Sequence, residues 1–335
     1  LMIRRPPRST HCISSAASDV YKRQKRVGGV NQIFVAQSHD CGATWSVEAI
    51  TDSSYDQTDP VMVIDSSDTV YVVWRGKGWG NNPDKFNLVC RRNVRGVWED
   101  AVAITDMPHN QLDPDISLDG DDRVFVVWNG RGYGTYPTTS NIYMMTYSEG
   151  SWSDIELVTN EDYFQNNPRV TVDPDGNVYI MWSGYGWGTH PNRPNIKLRI
   201  KNKDTGWSSV LDVTDDENFW FSGSIVSDLA GTIHLAWWGG SGDLNIYYCS
   251  YSKESGLSSV ETITSKEPSA LQVDPALGVD ADNKVYLFWT GLGWPACDLV
   301  YNLRSKVKSG GTWSDFLTTD LMSCLLYTSP SPRDS

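Results

Sequence analysis

The sequence predicts an all-β fold, a β-propeller of four-stranded antiparallel blades, about six in number. Two observations predict it. An Asp nine positions before a Trp recurs as Asp65/Trp74, Asp119/Trp128, Asp173/Trp182, Asp228/Trp237 and Asp280/Trp289, with Trp-to-Trp steps of 54, 54, 55 and 52 residues. A repeat of that period indicates a propeller or a solenoid array. Inside the unit running from Asp113 to Trp152 and just beyond, four short apolar runs are separated by turn clusters and none has a helical period, which favours a propeller blade. Helical repeats would need runs of Ala, Leu, Glu and Lys.

Each strand can be justified in order. Asp113 to Leu118 and Arg123 to Trp128 alternate or run apolar on either side of the turn cluster Asp119-Gly-Asp-Asp. A Gly-rich loop follows, then Asn141 to Tyr147 alternates again, and a fourth run extends from Trp152 to Thr159. Ahead of the whole units, Asn31 to Gln37 and Trp45 to Asp52 match a third and a fourth strand, with no first and second strand before them, and Trp313 to Asp320 supplies a last fourth strand. Propellers close by pairing strands from both chain ends in one blade. Five whole repeats and a half blade therefore point to six blades, or seven with more chain.

Residues 1–24 and 323–335 belong to no repeat and read as translated sequencing-adapter sequence, so they are expected to be unstructured, with the propeller over 25–322. The basic first segment has no apolar core and is not a secretory signal. The chain carries 28 basic and 41 acidic side chains, a net charge of −13, and setting the flanks aside makes the balance more negative. Such a field repels nucleic acid and anionic membrane, so neither is expected as a partner. No apolar run is long enough to insert in a bilayer. Fifteen Trp and 16 Tyr against eight Phe suit blade packing and sugar binding alike. Cys41, Cys90, Cys249 and Cys297 share no position in the repeat, and Cys12 and Cys324 lie in the flanks, so neither a disulfide framework nor a zinc site is expected.

Between the two strands of the half blade stands Ser38-His-Asp-Cys-Gly-Ala-Thr-Trp45. Through Ser38, Asp40, Gly42, Thr44 and Trp45 it resembles the Asp box, Ser-x-Asp-x-Gly-x-Thr-Trp, of the sialidase-type Asp-box repeat β-propeller superfamily. Degenerate forms at Gly96/Trp98, Gly150/Trp152, Gly206/Trp207 and Gly311/Trp313 extend the resemblance over about residues 31 to 320. The resemblance implies that the box is a fold element on the face away from the active site, with Asp40 a turn former. It is evidence for a fold and not for a chemistry. The Asp-rich turns at Asp119, Asp173 and Asp280 lack the distal Glu of a twelve-residue calcium loop. Hairpin geometry accounts for them, and no metal or cofactor is expected.

If the strands are antiparallel, the loops from strand four to strand one and from strand two to strand three emerge on one face. Their chemistry repeats. Gln-x-Asp/Asn-Pro precedes strand one at Gln57/Asp59, Gln111/Asp113, Gln165/Asn167 and Gln272/Asp274, and a Gly-framed aromatic follows strand two at Trp79, Tyr133, Trp187 and Trp294. An aromatic plate beside an amide and a carboxylate suits a sugar, which offers an apolar ring face and hydroxyls. The same residues could instead tie the loop backbones together. The unit from Asp216 to Ser265 departs from the pattern, with Trp220 and Ser222 replacing the Gln and Asp and Trp237-Trp238-Gly-Gly replacing the long loop.

The expected function is therefore carbohydrate recognition by repeated loops of an extracellular or cell-surface protein, with a glycan or polysaccharide as partner. The alternative is a sialidase-type glycoside hydrolase, or a polysaccharide lyase, with one centre on the same face. The resemblance implies an arginine triad, a Tyr/Glu nucleophile pair and an Asp acid/base, an exception to the usual two-carboxylate plan. Arg75, Arg131 and Arg169 fall on the expected face with Arg193 and the tyrosines Tyr55, Tyr136 and Tyr163, but the Arg-Ile-Pro signature is absent and Glu48, Glu99, Glu156 and Glu261 lie in or beside fourth strands. The catalytic residues of that family are not carried over. For a lyase, Tyr136, His109 or His190 would be the base and Arg131 the neutraliser.

Overall fold

The computed structural model describes residues 19–38, 40, 43–264, 271–292 and 302–315. Every regular element among them is a strand. The chain divides into two compact units, Leu1–Asp216 and Glu217–Ser335.

In the first unit, three sheets repeat one plan. Their first strands are Gln57–Ile64, Gln111–Leu118 and Gln165–Val172; their second strands are Val70–Gly76, Val124–Gly130 and Val178–Gly184; and their third strands are Asn87–Val94, Asn141–Ser148 and Asn195–Asn202. Consecutive strands pair antiparallel. The leading sheet pairs Asp19–Val27, Val30–Ser38 and Ser46–Ala49. Its first strand takes in residues 19–24, which the sequence reading set outside the fold, and it supplies a strand ahead of Asn31 where none was expected. Register runs from Asp19 opposite Ser38 to Val27 opposite Val30.

The near-continuous apolar runs of the second strands follow from burial on both faces. Val124–Gly130 is buried at every position. Trp128, Val126 and Val124 pack with Val73, Leu88 and Val63 of the preceding sheet, whereas Phe125 and Val127 pack with Ile180 and Trp182 of the following one. The recurring Trp is 0% exposed in Trp74, Trp128 and Trp182. The Asp nine residues earlier closes the hairpin between strands one and two. Asp65, for example, accepts the backbone N–H groups of Ser67 and Thr69 at 2.9 and 2.8 Å, and the Tyr71 hydroxyl donates to its other oxygen at 3.2 Å. Carboxylates spent in this way on donors account for the Asp-rich turns without a cation. The Asp65 turn is also stitched to the next sheet, where Ser66 N–H donates to Asp122 at 2.8 Å.

The fourth strand differs from expectation. It is two short pieces, as in Ser151–Trp152 and Glu156–Leu157, both paired with the third strand. The Ser153 hydroxyl accepts the Thr146 N–H at 3.0 Å, and Ser208 does the same for Ile200 at 3.1 Å. A side chain thus takes over a ladder donor and breaks the edge.

Among the described residues the second unit holds two sheets, beginning at Phe219–Ser227 and Gln272–Val279. Ala236, Ile246 and Tyr248 of one pack with Leu277, Leu287 and Trp289 of the other. Cys90 and Cys249 are buried free thiols, each pushed up to about 12 by burial; Cys12, Cys41, Cys297 and Cys324 lie outside the described residues.

Candidate functional site

Each regular first strand opens on a Gln that is wholly buried: Gln57, Gln111 and Gln165 are 0% exposed and Gln272 is 1%. Its Oε1 accepts the indole N–H of the recurring Trp, at 2.7 Å from Trp74, 2.8 Å from Trp128, 2.8 Å from Trp182 and 2.7 Å from Trp289. Its Nε2 donates across to the loop after strand two, to the carbonyls of Lys77, Arg131, Tyr185 and Leu292. The four glutamines, expected from the sequence as ligand contacts, are buried here and spend their amides on the frame. The same bonds place the loops before strand one and after strand two at one end of each sheet, with the Asp-box-type hairpins at the other. Gly76, Gly130, Gly184 and Gly291 make room for the amide, since a Cβ there would stand 1.9–2.1 Å from its oxygen.

The Gly-framed aromatics are drawn inward by that amide. Trp79 and Trp187 are half-buried and donate their indole N–H to Gln57 and Gln165 at 3.0 and 3.3 Å. Tyr133 sets its ring edge-on to Tyr143 with centroids 5.5 Å apart. Trp294 lies outside the described residues. Tyr55 and Tyr163 are about half exposed, at 48% and 47%, and lie over Gly78 and Gly186. A Cβ at those glycines would come within 2.6 and 2.4 Å of the rings.

A second repeated clamp escaped the sequence reading. The third strands open on the buried Asn87, Asn141 and Asn195 and the half-buried Asn245, whose Oδ1 accepts the hydroxyl of Thr105, Thr159, Thr214 and Thr264 at 2.8–3.1 Å. The residue after that Thr then caps the Gly loop: Asp106 accepts Asn81 N–H at 2.9 Å, Asn160 accepts Thr135 N–H at 2.8 Å, and Asp215 accepts Thr189 N–H at 2.8 Å. These bonds hold the Asp215 carboxyl down at about 2. The period of the Asn and Thr was visible in the sequence, but a polar pair inside apolar strands was not read as frame.

The Asp or Asn two residues after the Gln has a different place. Asp59, Asp113, Asn167 and Asp274 all adopt positive φ, between 51° and 53°, at a bulge where the register of strands one and two shifts. Asp and Asn tolerate that left-handed conformation, and the following Pro removes a donor the broken ladder would leave unpaired. The bulge turns these side chains out of the sheet. Asp59 and Asp113 line a cavity of about 400 Å³ with Pro60, Val61, Arg75, Pro114, Asp115 and Arg169, contributed by three successive sheets. Arg75 Nε lies 2.5 Å from Asp59 and its Nη1 3.8 Å from Asp113. Burial raises the Asp113 carboxyl above the ordinary range, with Asp59 adding to the rise and the Arg75 and Arg169 guanidiniums and the Asn129 amide opposing it. Asp115 accepts Val170 N–H at 2.9 Å; nothing in its local sequence marked it.

Of the catalytic candidates, Arg75 and Arg169 reach this cavity and Arg131, Tyr136, His109 and His190 do not line it. Arg131 sits over the Phe164 ring at 5.7 Å, Tyr136 is 37% exposed, and the His190 ring is held 3.3 Å from Asp215. This placement brings Arg75 and Arg169 together at the cavity and leaves Arg131 outside its lining. Asn167 and Asp274 also lie outside the cavity lining. In the irregular sheet, Trp237 Nε1 and Ser222 Oγ are buried with no hydrogen-bond partner among the described residues, because Trp220 stands where the Gln would be and packs its ring on Tyr247 at 4.7 Å.

No family model matches the sequence, and no curated protein matches it. Solved structures do. The chain is similar to an ulvan lyase, a polysaccharide lyase bound to -[GlcA(1-4)Rha3S]-, at 12% identity and TM-score 0.63 over 91% of this chain and 82% of that one. It is similar to the Penicillium chrysogenum alpha-L-arabinanase complexed with arabinobiose, at 13% identity and TM-score 0.57 over 88% and 90% of the two chains. It is also similar to the Hadza microbial sialidase Hz136, at 11% identity and TM-score 0.54 over 86% of this chain and 66% of that one. The fold is a β-propeller. Sheets of four antiparallel strands with buried two-faced second strands are its blades, and the cavity lies where the innermost strands of three blades begin.

Proposed function

We propose that the protein is a carbohydrate-recognition β-propeller of the Asp-box type, working outside the cell or at its surface, whose principal ligand site is the cavity of Asp59, Arg75, Asp113, Asp115 and Arg169. The observation that carries this reading is the lining itself: three carboxylates and two guanidiniums converge from three blades on one space large enough for a sugar residue. Sugar hydroxyls both donate and accept, and a mixed set of carboxylates and guanidiniums meets both needs in a fixed geometry. Tyr55 and Tyr163 add exposed rings on the same face, where a sugar's apolar side can stack. The Asp-box assignment is supported by the Asp40 turn, in which Asp40 accepts Thr44 N–H at 2.8 Å and the Ser38 and Thr44 hydroxyls at 2.8 and 2.6 Å; Gly42 lies outside the described residues.

Repeated equal sites on the rim are less well supported than one principal centre, since the glutamines are buried and two of the aromatics turn their polar edge inward. A glycan array tests the proposal. Wild-type protein is expected to be retained by a defined set of glycans, and Asp113→Ala or Arg169→Ala to lose that retention roughly tenfold or more, the loss of a charge-assisted contact. Unchanged retention in both variants would sink the cavity as the site.

A further inference from the structure

One exposed ring breaks the repeat, and it lies on the seam between two blades that leads into the cavity. The residue before each buried Gln is Asp56, Asn110, Phe164 or Leu271. In the first two cases it ties the blade to the sheet before it: Asp56 accepts Asn31 N–H at 2.9 Å and Asn110 accepts Phe86 N–H at 3.0 Å. Phe164 can make no such bond. The Ser140 hydroxyl makes the tie there instead, donating to the Gln165 carbonyl at 3.1 Å, and the phenyl ring is left 49% exposed. The Arg131 guanidinium lies 5.7 Å from the centre of that ring. Arg131 is itself exposed, and its side chain has no ion pair or hydrogen bond among the described residues.

Phe164 and Arg131 come from neighbouring blades, and the contacts between those blades run from this pair to the cavity. Two residues before Arg131, a span of about 7 Å in extended chain, Asn129 accepts Asn167 N–H at 3.2 Å and its amide faces the Asp113 carboxyl. Further along the seam, Asp115 of the cavity lining accepts Val170 N–H at 2.9 Å. The ring and the guanidinium therefore stand at the exposed end of a line whose inner end is the cavity.

We infer that Phe164 and Arg131 form a second sugar subsite, holding a neighbouring residue of the same glycan chain that fills the cavity, so that the ligand is a polysaccharide bound along its length. The inference rests on the cavity being the principal ligand site, as proposed above. Cation–π attraction steadies the ring from the Arg131 side. The rest of the ring is open to the apolar side of a sugar, and covering it releases water from a half-exposed aromatic. The guanidinium adds N–H donors for ring and hydroxyl oxygens beside the stacked face. The frame does not call for a Phe here, since the two preceding blades close the same corner with Asp56 and Asn110.

The test offers each glycan of the array as a size-graded series from monosaccharide to octasaccharide to wild type, Phe164→Asn, Phe164→Tyr and Arg131→Gln, with a melting curve for each protein. Wild-type retention is expected to rise with chain length. Phe164→Asn installs the residue type of the preceding blade and should lower the ratio of longest to shortest roughly fivefold or more, the effect of losing an aromatic surface that the ligand covers. Phe164→Tyr keeps the ring and should keep the rise. Arg131→Gln leaves the ring in place and should lower the ratio severalfold, which decides the matter even if Phe164→Asn does not fold. A ratio unchanged in Phe164→Asn and Arg131→Gln, or wild-type retention that does not rise with length, overturns the subsite; the cavity stands if Asp113→Ala still loses the shortest retained glycan. Retention of no glycan by wild type overturns the cavity and the subsite together.

Discussion

Gln57 Oε1 lies 2.7 Å from the indole nitrogen of Trp74 and 3.0 Å from that of Trp79, so one amide oxygen serves a core tryptophan and a loop tryptophan at once. The inner core and the functional face are joined through this atom, and the same arrangement recurs at Gln165 with Trp182 and Trp187.

Gln111→Leu should therefore destabilise the protein by about 1–3 kcal/mol, the usual cost of orphaning buried polar partners. Denaturant unfolding measures it. Trp237→Phe, by contrast, removes an N–H that already has no partner among the described residues, and should cost clearly less than Trp128→Phe.

Gly130→Ala brings a Cβ to 2.1 Å from Gln111 Oε1. The amide would have to leave its seat, and about 1–3 kcal/mol of stability should go with it, as for overpacking elsewhere. The pairing Gly130→Ala with Gln111→Ala should recover part of the loss in a double-mutant cycle.

His234 takes the position that Tyr71, Tyr179 and Tyr286 hold in other sheets, with its ring between the Tyr248 hydroxyl at 2.7 Å and Asp228 at 3.3 Å. Burial lowers its proton affinity, helped by Lys308 and opposed by Asp228. The unfolded chain then binds the proton more readily, so stability should fall as pH drops below the ordinary histidine value of about 6.5 and be independent of this group above it. His234→Tyr should flatten the fall in melting temperature on acidification from neutral pH.

Tyr55→Ala with Tyr163→Ala should weaken glycan retention with little change in melting temperature, since both rings are about half exposed. Trp79→Ala should lower the melting temperature as well, because its indole packs against the core and anchors on Gln57. Equal effects of the two changes on stability would remove the distinction between presented and anchored rings.

Asp40 is fully exposed, yet its carboxyl is held down at about 2 by Thr44 and Ser38. Its contribution should be intact above the ordinary Asp value and lost as pH falls towards 2. Faster exchange of the Thr44 amide in Asp40→Ala, with glycan retention unchanged, would bear out a role confined to the turn.

The strands and their order were legible because burial on both faces forces apolar runs, and the Asp/Trp spacing fixed where each hairpin falls. The strand Asp19–Val27 left no signal, because nothing in the composition of residues 19–24 resembles the repeat. At the site, the recurring Gln, Asp and aromatic were found as positions but their roles were exchanged. Spacing shows that Gln57 and Asp59 travel together; only the bulge at Asp59, with its φ of 53°, shows that one side chain turns into the frame and the other into the cavity. Asp115 carried no signal, since its equivalents in neighbouring blades are Val61 and Arg169 and its meaning arises from where three strands converge.

The interrupted fourth strands bear on how this chain behaves in company. A foreign peptide seeking to add itself along the outer margin of a blade meets two-residue ladders separated by a serine hydroxyl that has already claimed the next amide. Such a margin gives no template for continuous pairing, so the serines that shape each blade also make its outer edge a poor partner for an added strand.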